Sequence, residues 1–319
     1  MLSKFGLSTC RNRQIPTKQR SLTMERGTID LREYSGGVDL AKTLESGQTY
    51  LWERLDGQPY GAAASGCWFE TAFDDIAIRL RQREGRLDWI ANRDATDTVC
   101  RLLRLDDDLE SMYEAMPADT VIRHSIEHGR GMRLVRDPIF PCLISFICST
   151  QMRVGRIHGM QRALTAAFGD EISLGDEVVQ AYPRPERIAQ STEEALRDLG
   201  LGYRAPYVLE TSRMVAEGTH PNAVADLPYE EARTWLTRYP GVGNKVADCV
   251  LLFSLGYLEA VPLDTWIRKA IEHEFPGCDA GSYAETSRAI RARLGGAHAG
   301  YTQTYLFHYL RTNGVSSNS

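Results

Sequence analysis

The sequence predicts an α+β fold, an N-terminal antiparallel sheet followed by a helical region. Two observations carry this. Between residues 68 and 93 apolar side chains recur at every second position, whereas beyond Asp137 they recur at every third or fourth. The change of period divides the chain into 25–136 and 137–313, flanked by an extension, 1–24, and a short tail, 314–319.

The extension holds five basic residues and no acidic one, but no apolar stretch, which excludes a secretory signal. An Arg- and Ser-containing, acid-free start fits a transit peptide. The reading adopted takes Met24 as the initiator, with residues 1–24 outside the fold. In the first region, Phe69, Thr71 and Phe73 share one face, opposite Glu70 and Ala72. Ile76, Ile78 and Leu80 then alternate with Ala77 and Arg79, and a polar "REG" precedes "RLDWIA". This is the pattern of a small antiparallel sheet with one wet face. In the second region, Ile157, Met160, Leu164 and Phe168 mark a helical stripe, as do Val246, Val250 and Phe253. Pro, Gly or polar caps bound each run, as in "SLGD", "STEEALRDLG" and "LDTW".

Composition narrows the function. No stretch approaches the roughly 18–20 apolar residues that cross a bilayer, which predicts an intracellular protein of the cytoplasm or nucleoid, or of a nucleus or organelle if the source is eukaryotic. From residue 25 onward, 32 basic side chains face 42 acidic ones, a net charge of −10. That excludes a general polyanion binder, since sequence-independent DNA affinity rests on neutralising phosphates. Nucleic-acid binding here needs a local, shaped site. The seven cysteines, at 10, 67, 100, 142, 148, 249 and 278, form no CxxC and no iron–sulfur or zinc spacing.

"LTRYPGVGNKVADC", residues 236–249, supplies such a site. Ala232, Trp235 and Tyr239 form the apolar face of a helix that Pro240 ends. Gly241 and Gly243 are expected to take turn conformations forbidden to other side chains, and Asn244 opens a second helix. A glycine turn at a helix N-terminus presents backbone amides to a phosphate without any charged side chain. The same glycines would equally turn the corner of an ordinary helical hairpin.

Lys245 follows in the first helical turn. The chain has 32 arginines and only 5 lysines, so a lysine here is a marked choice. A guanidinium stays protonated and cannot attack carbon, whereas a primary amine can form a Schiff base. A surface lysine is the plain alternative. Asp264 stands 19 residues on, as the N-cap of the helix in "LDTWIRKAIEHEF". It serves as a cap only, or as a carboxylate that stabilises an oxocarbenium sugar or deprotonates the amine. Spacing leaves both open.

Together "YPGVGNKVADC" and "VPLD" resemble the 8-oxoguanine DNA glycosylase/AP lyase family of the helix-hairpin-helix (HhH-GPD) DNA glycosylase superfamily. Four further stretches resemble it in order: "SGQTYLW" (46–52), "DPIFPCLISFICSTQ" (137–151), "LGLGYRAPYV" (199–208) and "GAHAGYTQTYLFHYL" (296–310). The resemblance runs from about residue 27 to 312. It implies a sheet domain before an all-helical glycosylase domain, and a monomer acting on double-stranded DNA that contains an oxidised purine.

By resemblance, Lys245 is the nucleophile and Asp264 the catalytic aspartate. Cys249 and Phe307 sandwich the flipped base, Gln303 reads its pairing edge, and the Gly47 carbonyl accepts the ring hydrogen that distinguishes 8-oxoguanine from guanine. Gln151 plugs the duplex, Tyr203 wedges it, and Arg156 and Arg204 face the orphaned partner base. Gly241 and Gly243 bind the backbone. No cofactor is required, although carbonyls of Thr237, Tyr239 and Val242 are implied as holders of a monovalent cation. Gln151 replaces the asparagine of eukaryotic members, and Trp266 the histidine they carry two residues after the aspartate. The resemblance therefore fixes no opposite-base preference. Competing readings are an alkylated-base or oxidised-pyrimidine glycosylase of the same superfamily, and a non-enzymatic helix-hairpin-helix module.

Overall fold

The computed structural model describes residues 24–62 and 66–314. The reading of 1–24 as an extension thus falls, but for Met24, outside the described residues. The described residues open with β1 (Glu25–Asp30) and α1 (Leu40–Glu45), followed by β2 (Glu53–Arg54), β3 (Phe69–Phe73), β4 (Ile76–Arg83) and β5 (Arg86–Ala91). These strands form one antiparallel sheet in the order β1-β5-β4-β3-β2. The alternation sets its register: Thr71 pairs with Ile78 and Phe73 with Ile76, while Leu80 pairs with Trp89. Ile76, Ile78, Leu80, Leu87 and Trp89 enter the main core.

The opposite face is not wet throughout. Ala72 and Ala77 are buried against Ile172, Leu174, Val179 and Ala181. These belong to a hairpin, β6 (Glu171–Leu174) and β7 (Glu177–Gln180), inserted in the helical region. Arg79 joins the two sheets, reaching Glu70 at 2.7 Å and Glu177 at 2.6 Å. "SLGD", expected as a helix boundary, is the turn of this hairpin. Four-residue strands are too short to separate from a cap by pattern.

Helices also begin earlier than the period predicts. α2 (Thr96–Leu102), α3 (Leu109–Ala115) and α4 (Thr120–Gly129) precede Asp137, the first two with too few turns to display a stripe. Then come α5 (Ile139–Cys148), α6 (Val154–Phe168), the β6–β7 hairpin, α7 (Pro185–Ala189), α8 (Glu193–Leu196), α9 (Ala205–Ala216) and α10 (Tyr229–Leu236). α11 (Asn244–Val250), α12 (Thr265–Glu274), α13 (Tyr283–Arg293) and α14 (Ala299–Asn313) complete the helices of the described residues. No helix among the described residues is long and apolar enough to cross a membrane.

Two buried polar side chains tie together α1 and the segments that connect the elements. Arg133 donates to the carbonyls of Ser35, Gly37, Arg104 and Asp107 at 2.6–3.1 Å. A buried guanidinium is tolerable because its donors are matched in this way. Gln48 donates to Thr43 O and Arg133 O at 2.9 and 2.8 Å and accepts the Val135 N–H at 2.9 Å. It thereby fixes the segment that carries Gly47.

α14 carries a buried histidine that makes stability depend on pH. The His308 ring lies 5.1 Å from that of His128. Burial, then the charges of Arg311, His128 and Lys42, holds its pKa down from 6.5 to about 4. Folding therefore favours the neutral ring. Its contribution is complete above pH 6.5 and is lost as pH falls through 4. Asp137 and Asp248, lifted by burial to about 7, act in the opposite sense but are common to wild type and variant. Relative to His308→Gln, the wild type should lose on the order of 3 kcal/mol between pH 7 and 4. Urea unfolding at the two pH values measures this, and a pH-independent difference would contradict it.

Candidate active site

The hairpin between α10 and α11 sets the site. Leu236 O accepts the Tyr239 N–H, and Tyr239 O accepts the Val242 N–H at 3.1 Å, which turns the chain tightly. Gly241 has φ +77°, and a Cβ there would lie 2.9 Å from the Tyr207 ring. It must be glycine on both counts. Gly243 differs from expectation. At φ −93° and ψ −179° it is extended backbone open to any residue, with nothing within 4 Å of a Cβ. Its small size leaves the N-terminus of α11 uncovered, where the first amides lack helical partners.

Lys245 projects from the first turn of α11. Its Nζ donates to Ser149 Oγ at 3.0 Å and lies 5.4 Å from the centre of the Phe146 ring. One turn on, burial pushes the Cys249 thiol up to about 12. That cysteine therefore stays neutral. Asp264 is the N-cap of α12, and both cap bonds fall on Oδ1, from Trp266 N at 2.9 Å and Ile267 N at 2.8 Å. Burial pushes its carboxyl up, against the Ile267 amide, the Lys245 charge and the Trp266 amide. The residue is a cap and also faces the cavity, so the two readings of its role do not compete.

Gly47, Cys249, Gln303 and Phe307 line the same open cavity of about 780 Å³ as Lys245 and Asp264, and Gln151, Gly241 and Gly243 also border it. Five separated stretches of chain converge there. Gly47 has φ +101°, and a Cβ would lie 3.3 Å from the Phe307 ring and 3.2 Å from Arg311 Nη1. Gln303 is buried on α14, one turn before Phe307.

A second group stands beside the cavity. Gln151, at φ +53° on the turn between α5 and α6, is exposed. The preceding residue anchors that turn: Thr150 O accepts the Tyr203 hydroxyl at 3.3 Å and also Arg204 Nη2. Tyr203 is 50% exposed, whereas Arg204 is only 4% exposed, its guanidinium 4.2 Å from the Tyr203 ring. Arg204 was expected to face DNA. The structure turns it inward, because the Thr150 carbonyl and the Tyr203 ring hold its charge. Arg156 is exposed on α6, its Nη2 3.6 Å from where a Cβ on Gly200 would lie.

Sequence reasoning missed Ser149, the hydrogen-bond partner of Lys245, and Arg311. The latter lies one turn after Phe307 and donates to Glu45 O at 3.0 Å. Its spacing from Phe307 on one helix face was the available signal. Among the described residues no cluster of His, Cys, Asp or Glu is placed to hold a metal.

Two family models and several known proteins match the chain. Residues 30–143 match the 8-oxoguanine DNA glycosylase N-terminal domain, and residues 144–294 match the HhH-GPD superfamily of base excision DNA repair proteins. A probable N-glycosylase/DNA lyase of Methanothermobacter thermautotrophicus is 30% identical over 306 residues, covering 88% of this chain and 96% of that protein. The N-glycosylase/DNA lyase of Saccharomyces cerevisiae is 29% identical over 257 residues, covering 74% of this chain and 68% of its own. Among solved structures, MBOgg1 in complex with a low affinity DNA ligand superposes with a TM-score of 0.77 at 26% identity, covering 87% of this chain and 93% of that one. Clostridium acetobutylicum 8-oxoguanine glycosylase/lyase, with double-stranded DNA containing cytosine opposite 8-oxoguanine, shares the fold at a TM-score of 0.77 and 23% identity, with the same coverage.

Proposed function

The chain belongs to the HhH-GPD superfamily of base excision DNA repair proteins, in its 8-oxoguanine DNA glycosylase/lyase branch, and from that premise we propose that it excises 8-oxoguanine from duplex DNA through Lys245 and then cuts the strand. One observation carries the reading: an amine and a partly buried carboxyl line one cavity together with an aromatic ring and a positive-φ glycine.

A base must leave the stack before its glycosidic bond can be reached. We assign Tyr203 as the wedge and Gln151 as the plug, with Arg156 facing the orphaned base. Arg204 braces the plug turn and would have to release Thr150 O to join them. The uncovered N-terminus of α11, at Gly241 and Gly243, takes a phosphate. The flipped base lies between Cys249 and Phe307, with Gln303 at its pairing edge. A monovalent cation would sit on the carbonyls of Thr237, Tyr239 and Val242. Tyr239 O keeps a second lone pair for it after accepting the Val242 N–H.

The Nζ lone pair attacks C1′. The bond from C1′ to the base breaks, its electron pair leaves with the base, and the base takes up a proton. Opening of the sugar ring gives the Schiff base. Loss of a C2′ proton then lets the C3′–O bond break, its electrons leaving on the 3′ phosphate. Asp264 offers negative charge where the sugar becomes cationic. An alkylated-base glycosylase, which uses water, has no need of an amine in this position.

Excision from a panel of duplexes carrying different damaged bases tests the proposal. The Gly47 carbonyl meets a ring N–H in 8-oxoguanine but a lone pair in guanine, a difference of about 1–3 kcal/mol before repulsion is added. Single-turnover excision should therefore favour 8-oxoguanine over guanine by at least roughly 10- to 100-fold. Comparable release of the two bases, or faster release of 3-methyladenine, would overturn the assignment.

A further inference from the structure

Behind the cavity, α11 carries a second carboxylate that the chemistry above does not use. Asp248 lies three residues after Lys245 and is completely buried. Two phenols donate to it, Tyr229 to Oδ1 and Tyr283 to Oδ2, each at 2.7 Å. They differ in what else they hold. The Tyr283 hydroxyl also accepts the Leu263 N–H at 3.2 Å, and Leu263 directly precedes Asp264. The Tyr229 hydroxyl instead accepts from Arg233 Nη1 at 3.3 Å, a residue on its own helix, α10.

We infer that Tyr283 is a positioning residue whose hydroxyl ties the helix bearing Lys245 to the backbone bearing Asp264 and so sets the amine against the carboxylate. The inference rests on the lysine mechanism proposed above. A phenol suits the place because one oxygen donates to the carboxylate while accepting from the amide. Both bonds are shielded in the protein, where an amide deprived of its acceptor is costly. Neither Asp248 nor Tyr283 lines the cavity, so neither needs to touch DNA. α11 and α12 are adjacent arms of the site joined through residues 251–264, and the Asp248–Tyr283–Leu263 chain spans that excursion with two hydrogen bonds.

Tyr283→Phe removes the shared oxygen and keeps the ring. Tyr229→Phe removes an equivalent hydroxyl from the same carboxylate without touching the Asp264 segment, and serves as the control. Single-turnover excision of 8-oxoguanine, lesion-duplex binding and melting temperature are measured for both. Tyr283→Phe should slow excision roughly 10- to 100-fold with unchanged binding, the scale expected of a small misplacement of reacting groups. Tyr229→Phe should lower the melting temperature comparably and leave the excision rate at the wild-type value. Should Tyr283→Phe not fold, Asp248→Leu, which is of similar size but accepts neither hydroxyl, should show the same rate deficit. A wild-type rate in the Tyr283 variant, or equal rate losses in the two tyrosine variants, would overturn the inference. Failure of the wild type to excise 8-oxoguanine would instead remove the functional reading itself, and the inference with it.

Discussion

Asp264→Asn should slow base excision by roughly 10²- to 10³-fold, the usual effect of removing one preorganised group that stabilises transition-state charge. The amide has the shape of the carboxylate, and its oxygen can still accept the Trp266 and Ile267 N–H groups that now meet Oδ1 at 2.9 and 2.8 Å. Asparagine is also a good N-cap, so the melting temperature should change little. What disappears is the negative charge beside the sugar as its C1′ becomes cationic. Burial already lifts this carboxyl, and the neighbouring Lys245 charge opposes that lift. Taking the charge away therefore alters the field around the amine as well as around the sugar. Single-turnover kinetics on an 8-oxoguanine duplex, together with a thermal melt, measure both halves. A near-wild-type excision rate would reduce Asp264 to a helix cap.

The site was legible where its signals are local. Pro240, Gly241 and Asn244 announce a turn followed by a helix within a few residues, and both appear where expected. Asp264 stands at the start of a helix because a carboxylate there satisfies amides two and three residues on. The sheet was legible for the same reason, since alternation between Phe69 and Leu80 is a nearest-neighbour property.

What escaped depends on distant partners. Ser149 meets Lys245 across 96 residues of sequence, and nothing near either residue records the contact. Arg133 resembles a surface arginine until four carbonyls from 26 to 98 residues away surround it. Arg204 resembles a free cation until Thr150 O and Tyr203 hold it. The outer face of the sheet looks wet in sequence because its cover, the β6–β7 hairpin, lies about 100 residues further on. Gly243 shows the converse. Its residue type drew an argument from backbone conformation, whereas its φ of −93° makes no such demand and its contribution is empty space.

The central claim is that Lys245 is present for its primary amine, and borohydride trapping on 8-oxoguanine duplexes tests it most directly. Reduction of the Schiff base links protein to DNA covalently, so the wild type should yield an adduct that survives denaturation. Lys245→Arg keeps the positive charge near Ser149 and Phe146, so lesion DNA should still bind. A guanidinium stays protonated at any working pH and cannot attack C1′, so the adduct should be absent. A lysine that merely met a phosphate would behave oppositely, because arginine would replace it as well or better. No adduct from Lys245→Arg, with lesion binding retained, is the result this mechanism predicts. A normal adduct yield from that variant would contradict it.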